Sequence, residues 1–137
     1  MKVMPYLFFN GQAREAALTY AHILNLPEPE IMSMRDGPPM GVPEDRLDWV
    51  MHCALPLGEG TLMLSDDASG DTPAMAGSNV MLSLPTEAEG RRVFDALAEG
   101  GEVRVPWAPI FWAAGFGALT DRFGIRWMVD CDEAPAD

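Results

Sequence analysis

A chain of 137 residues with 48% apolar and 22% charged side chains has the apolar content for a core, and its length suits one domain or two very small ones. Nine Lys and Arg face 21 Asp and Glu, and the resulting charge of −12 repels nucleic acid and anionic membrane surfaces. No apolar run reaches the roughly 18 residues a membrane-spanning helix needs, and two cysteines build neither a disulfide framework nor a thiolate metal cluster.

The first element reads as a strand, Met4-Pro5-Tyr6-Leu7-Phe8-Phe9, because aromatic side chains favour a pleated surface; Asn10-Gly11 closes it. Ala13, Ala16, Ala17, Tyr20, Ile23 and Leu24 then recur at helical spacing until Asn25-Leu26-Pro27 stops the helix. Glu30 to Met34 reads as a second strand, and a loop rich in Pro and acid follows from Asp36 through Pro43. Trp49 to Leu57 and Thr61 to Ser65 form a hairpin around Gly58-Glu59-Gly60. Asp66 to Gly77, full of Asp, Ser, Gly, Pro and Ala, has the composition of a linker.

After it the pattern begins again. Val80 to Leu84 is a strand, and Thr86 with Glu89 forms a capping box ahead of the apolar face Val93, Phe94 and Leu97. Gly100-Gly101 ends that helix. Glu102 to Val105 is a strand, Pro106-Trp107-Ala108-Pro109 a turn region and Phe116 to Thr120 a strand. Asp121-Arg122-Phe123-Gly124 makes a tight turn into the last strand, Ile125 to Cys131.

Strand, helix and three strands thus occur twice. A unit of roughly seventy residues buries too little surface to stand alone, so the two are expected to pack as halves of one fold. The expected class is α+β: tandem βαβββ modules, residues 1–66 and 78–132, forming a curved mixed sheet with the helices on the convex face. Residues 67–77 are the linker and 133–137 an acidic tail. The concave faces are expected to meet or to line a cavity, the kind of surface that small molecules favour.

The acid is concentrated. Glu28 to Asp48 carries six acids and two bases, while Glu59 to Asp71 and Asp130 to Asp137 carry four acids each. Acidic connections at the rim of a fold keep a protein soluble, and attraction of a cation or amine is the functional alternative. Met1-Lys2-Val3-Met4-Pro5 does not read as a secretory signal, and the expected setting is the cytoplasm.

Reading the strands at period two sets Tyr6, Phe8, Val80, Leu82, Leu84, Trp127 and Val129 toward the helices. Leu7, Phe9, Met63, Ser65, Met81, Ser83, Met128 and Asp130 then fall on the concave side. Methionine is 10 of the 137 residues; its flexible thioether suits a pocket accepting varied apolar shapes, or simply fills a core. Trp107, Phe111 and Trp112 lie between strands of the second half, as Trp49 does in the first, where aromatic rings close a pocket mouth or a dimer contact. The candidate ligand-binding residues are therefore Leu7, Phe9, Met63, Ser65, Met81, Ser83, Trp112 and Met128.

Two residues are candidates for catalysis. His52 is either a general base or hydrogen-bond partner facing the cavity, or a strand histidine satisfied by a neighbour. Its neighbour Cys53 points to the opposite face, so the two make a poor nucleophilic pair. Asp130 is a base where it is buried and a solvated side chain where the chain end exposes it. His22 lies on the far side of its helix, and Cys53 and Cys131 read as reduced core thiols.

The layout resembles the vicinal oxygen chelate superfamily, which includes glyoxalase I, bleomycin resistance proteins and extradiol dioxygenases. More narrowly it is similar to the PhnB-like branch, labelled glyoxalase-like or 3-demethylubiquinone-9 3-methyltransferase-type. The carrying segments are Pro5 to Gly11 with Glu15-Ala16 and Tyr20, Val50-Met51-His52, and Leu62 to Asp66. Phe111-Trp112, Phe116-Gly117, Leu119 to Ile125 and Trp127-Met128-Val129 complete the match. The methyltransferase label carries no chemistry by itself, since Gly115-Phe116-Gly117 enters a strand rather than the strand-to-helix turn of a nucleotide-like cofactor.

The resemblance implies four inward positions where metal enzymes of the superfamily place His, Gln or Glu. Here they fall near Pro5, at Met63 or Ser65, near Asn79 and near Met128, none of them a good ligand for a first-row divalent ion. Neither a metal nor another cofactor is expected. The resemblance implies a protein that binds a small hydrophobic or aromatic metabolite in a metal-free concave pocket. Whether it is an enzyme stays open, because no catalytic constellation is recognisable. The alternative is a metal-dependent glyoxalase-like lyase, isomerase or dioxygenase. The other expected partner is a second copy, as a homodimer, with no nucleic acid and no membrane.

Overall fold

The computed structural model describes residues 1–137 and divides them into two units, Met1–Pro73 and Ala74–Asp137. In the first unit, Tyr6–Phe9 forms β1, Ala13–Ile23 α1, Ile31–Ser33 β2, Val50–Leu57 β3 and Gly60–Asp66 β4. Single 3-10 turns at Met34–Asp36 and Glu44–Arg46 carry the chain from β2 to β3. The sheet runs β1-β4-β3-β2, with β1 parallel to β4 and the other pairs antiparallel. Helix α1 packs on β3 and β4, burying Ala13, Ala16, Ala17, Tyr20, Ala21 and Ile23; its small residues let the helix approach the sheet closely.

No side chain of its own caps α1 at Gln12. Instead the buried carboxylate of Asp66, at the end of β4, accepts from the backbone N–H of Gly11 (2.8 Å) and Ala13 (3.0 Å) through Oδ1 and of Val50 (2.9 Å) through Oδ2. One acid thus ties the start of the helix, where negative charge is favoured, to the start of β3.

Part of the stretch of linker composition belongs to this unit. Asp67 accepts from Ser69 N–H, Ser69 Oγ and Thr72 Oγ1, bonds that hold its carboxyl below the usual range. Thr72 and Asn10 exchange two further bonds, and Arg46 donates to the Ala68 carbonyl. The boundary between the units falls after Pro73.

The second unit repeats the order: β5 (Val80–Leu84), α2 (Glu87–Ala98), β6 (Glu102–Ile110), β7 (Ala113–Thr120) and β8 (Arg126–Cys131). Its sheet runs β5-β8-β7-β6, again with the first pair parallel and the rest antiparallel. The two βαβββ modules, each a four-stranded mixed sheet with one helix, make the fold α+β. Thr86 Oγ1 accepts from Glu89 N–H at 3.2 Å, and Gly90, Val93, Phe94 and Leu97 are the buried face of α2.

One element departs from the sequence reading. Pro106-Trp107-Ala108-Pro109 is not a turn; β6 continues to Ile110, and β7 begins at Ala113 rather than Phe116. An outermost strand tolerates prolines, and three register shifts against β7 absorb the misfit. The tight turn after β7 is held by Asp121, whose buried carboxylate accepts from Phe123 and Ile125 N–H and from Trp127 Nε1, each at 2.9 Å. No helix is long and apolar enough to cross a membrane.

Candidate functional site

Strand register decides which side chains share a face. In the second sheet Val80, Leu82 and Leu84 of β5 lie beside Trp127, Val129 and Cys131 of β8, turned toward α2. The alternate residues form the face away from the helix. There Met81 pairs with Met128 and Ser83 with Asp130, while Ala118 and Phe116 of β7 lie beside Met128 and Asp130. Met81, Ser83, Met128 and Asp130 therefore share one face.

On this open face three residues converge. Ser83 Oγ donates to Asp130 Oδ1 at 2.6 Å, and Trp112 Nε1, from the short β6–β7 connection, donates to Oδ2 at 3.0 Å. Asp130 is 7% exposed, whereas Trp112 is 45% and Phe111 86% exposed. Phe111 stands edge-on to Trp112 with ring centroids 4.7 Å apart, and Trp112 to Phe116 at 5.5 Å. The arrangement is an aromatic wall around a buried carboxylate, and each carboxylate oxygen keeps a further lone pair for a donor on a bound molecule.

The first sheet presents the same positions with different chemistry. Tyr6 pairs with Met63 and Phe8 with Ser65, so Phe8 and Ser65 stand where Ser83 and Asp130 stand in the second sheet. His52 is on this face too; its Nδ1 lies 3.3 Å from Tyr6 Oη, the neighbour that satisfies it. Cys53 points to the other face, 1% exposed, and burial pushes its thiol pKa up, partly offset by Arg14. His52 and Cys53 are not brought together, and His52 and Asp130 stand on different sheets.

Leu7 and Phe9 lie on the opposite face from the one expected. They are buried on the α1 side while Tyr6 and Phe8 are exposed, because all four residues of β1 are apolar or aromatic and their alternation carries no sign. Two tryptophans also have other partners. Trp107 packs on Phe94 with its Nε1 donating to Glu87 at 2.8 Å, and Trp49 lies against Gly11 beneath the Arg46 guanidinium. Phe116 escapes the residue reading, yet counting back along the hairpin from the Asp121 turn places it opposite Asp130.

The positions at which the superfamily would hold a metal offer poor donors. The open faces carry Tyr6, Phe8, Met63 and Ser65 on one sheet, with His52 held by Tyr6, and Met81, Ser83, Met128 and Asp130 on the other. No three His, Cys, Asp or Glu side chains gather as a metal site, and Asp130 is the lone carboxylate among these positions. These residues do not fit a divalent ion. Gly115 and Gly117 are no nucleotide cradle, since the space a Cβ would take at each is filled by Trp107 and Phe94.

The family model described as 3-demethylubiquinone-9 3-methyltransferase matches residues 1–130. Protein YjdN of Escherichia coli (strain K12) is 29% identical over 142 residues, covering 95% of each chain. The crystal structure of protein PA1353 from Pseudomonas aeruginosa is similar with a TM-score of 0.87 and 41% identity, over 97% of this chain and 98% of that one. A glyoxalase/bleomycin resistance protein from Albidiferax ferrireducens T118 shares the fold, with a TM-score of 0.55 and 13% identity over 93% and 95% of the two chains.

Proposed function

We propose that this chain, which belongs to the 3-demethylubiquinone-9 3-methyltransferase family within the vicinal oxygen chelate superfamily, binds a small hydrophobic or aromatic metabolite without a metal, on the open face of its second sheet. The observation that carries the reading is the half-exposed Trp112, flanked by Phe111 and Phe116, with its N–H committed to the buried Asp130. A ring fixed by a hydrogen bond loses little freedom when a flat ligand stacks on it, and the thioethers of Met81 and Met128 beside it adapt to the ligand's outline. Ser83 and Asp130 supply the polar anchor.

A screen of apolar and aromatic metabolites by thermal shift and native mass spectrometry tests this, and the fluorescence difference from Trp112→Phe isolates Trp112 among the four tryptophans. The Trp112→Ala variant is expected to bind a hit about thirtyfold more weakly, roughly 2 kcal/mol, the loss of an aromatic anchor. Trp112→Phe, which keeps a ring and loses the N–H, should fall between. Failure of every compound to bind, undiminished binding by Trp112→Ala, or binding that needs added Fe, Mn, Ni or Zn would overturn the reading.

We also propose a homodimer. Tyr6, Phe8 and Met32 are large apolar side chains exposed on the open face of the first sheet, and a second copy is the occupant we propose for it. Light scattering at micromolar concentration should give twice the 14.9 kDa chain mass; a single-chain mass would refute it. Cys53 and Cys131, both unpaired and buried, suit a cytoplasmic setting.

A further inference from the structure

The far end of the second sheet's open face carries the opposite charge from the Asp130 end. Arg104 leaves β6 and crosses the sheet, its Nη2 donating to the carbonyls of Leu119 (2.9 Å) on β7 and Trp127 (3.4 Å) on β8 and to Asn79 Oδ1 ahead of β5. Asn79 precedes Val80 and so alternates in phase with Met81 and Ser83, which sets the guanidinium it accepts from on the open side. Three acceptors fix that one nitrogen. Nε is buried with no partner at all, a costly state for a donor on a charged group.

Arg126 stands at the same end, beside Thr120 in the register and two residues before Met128. Its Nε donates to the Ser78 carbonyl at 3.1 Å, and its two terminal nitrogens have no partner in the chain. The two guanidinium groups are close enough that Arg126, after burial itself, pushes the Arg104 pKa down. Glu102, two residues along β6, opposes that push but forms no contact ion pair, and neither arginine is salt-bridged, unlike Arg35 and Arg91. In a chain of charge −12 with 21 acids, two neighbouring cations left without a carboxylate partner are a pre-set seat for a negative group.

We infer that Arg104 and Arg126, with Asn79 at their side, bind a small oxyanion, the carboxylate or phosphate group of the ligand whose ring lies at Trp112. The inference rests on the proposed use of this face for the ring, while the anion seat is testable alone. Along β8 the seat at Arg126 and the carboxylate at Asp130 are four residues, about 13 Å, apart, so the ligand class is an aromatic or apolar body carrying an acid at one end.

Titration of the full chain with inorganic phosphate, and separately acetate, at constant ionic strength tests the seat, followed by calorimetry and by the Arg104 Nε–H resonance. Saturable binding of one anion per chain is expected, shifting that resonance. Arg126→Gln, whose target makes one backbone bond only, should weaken it roughly tenfold, the loss of a charge-assisted contact, as should Arg104→Gln where it folds. Arg35→Gln, which removes an equal charge elsewhere, should leave it unchanged. An equal loss in Arg35→Gln, or no saturation, would mean non-specific screening and overturn the inference, as would full binding by Arg126→Gln. Quenching of Trp112 by an uncharged aromatic should survive Arg126→Gln; phosphate binding without any such quenching would sustain the anion seat and remove the ring site.

Discussion

Replacing Asp66 by Ala is expected to cost about 4 kcal/mol of stability, a large part of what a chain this size has. The carboxylate is 3% exposed and is the acceptor for three backbone donors, Gly11, Ala13 and Val50, that belong to different elements. Alanine leaves the buried N–H groups of Ala13 and Val50 without an acceptor while the exposed Gly11 can turn to water, and each orphaned donor costs on the order of 1–3 kcal/mol. The Asp66→Asn variant keeps one oxygen but turns an amide donor toward a backbone N–H, so about half the loss is expected. Urea unfolding followed by circular dichroism measures both. Hydrogen exchange should quicken at Ala13 and Val50 but not at Phe123 and Ile125, which Asp121 holds. A loss below about 1 kcal/mol in Asp66→Ala, no more than a typical substitution, would show that the acid is not what joins α1 to the sheet.

Gly115→Ala should destabilise the second unit by about 3 kcal/mol. A Cβ at Gly115 would lie 2.7 Å from Nε1 of the Trp107 indole and closer still to two of its ring carbons. The ring cannot retreat, because a Cβ at Gly90 on α2 would already be 2.7 Å from its outer edge and Nε1 is held by Glu87. Overpacking of this sort is relieved only by moving backbone. Trp107→Phe, which removes the fused ring, should cost about 2 kcal/mol alone and relieve the clash, so the double variant should lose about 3 kcal/mol rather than about 5. Strict additivity in urea unfolding would mean that the indole and Gly115 do not share this space.

Elements with strong local signals are legible in the sequence. The Thr86 cap, the 3.6-residue spacing of α1 and α2, and the Asp121-to-Gly124 turn depend on neighbours in sequence, and Gly124 has the positive φ of 88° that such a turn requires. The β5 and β8 faces are legible because Ser83 and Asp130 break the apolar run and give the alternation a sign. In β1 nothing does so, and the sequence reading sets Leu7 and Phe9 on the wrong face. Trp107 is hidden for a different reason. Its flanking prolines read as a turn, and Gly90, one of the two glycines that receive its ring, is remote in sequence. The contacts that define the candidate site are also long-range: Trp112 reaches Asp130 across 18 positions and Ser83 across 47, and Arg104 reaches Asn79 across 25. Composition and spacing carry no record of such pairs.

The irregular β6 bears on what an incoming chain could pair with. Pro106 and Pro109 remove two of the amides that strand would offer, and three slips in its pairing bend what remains. An incoming segment finds no continuous ladder to extend, which guards against runaway polymerisation by strand addition. At the opposite margins β1 has four residues and β5 five, too brief to template a long ribbon. The margins thus offer little to an incoming strand, and the proposed pairing of two copies is left to the broad sheet faces.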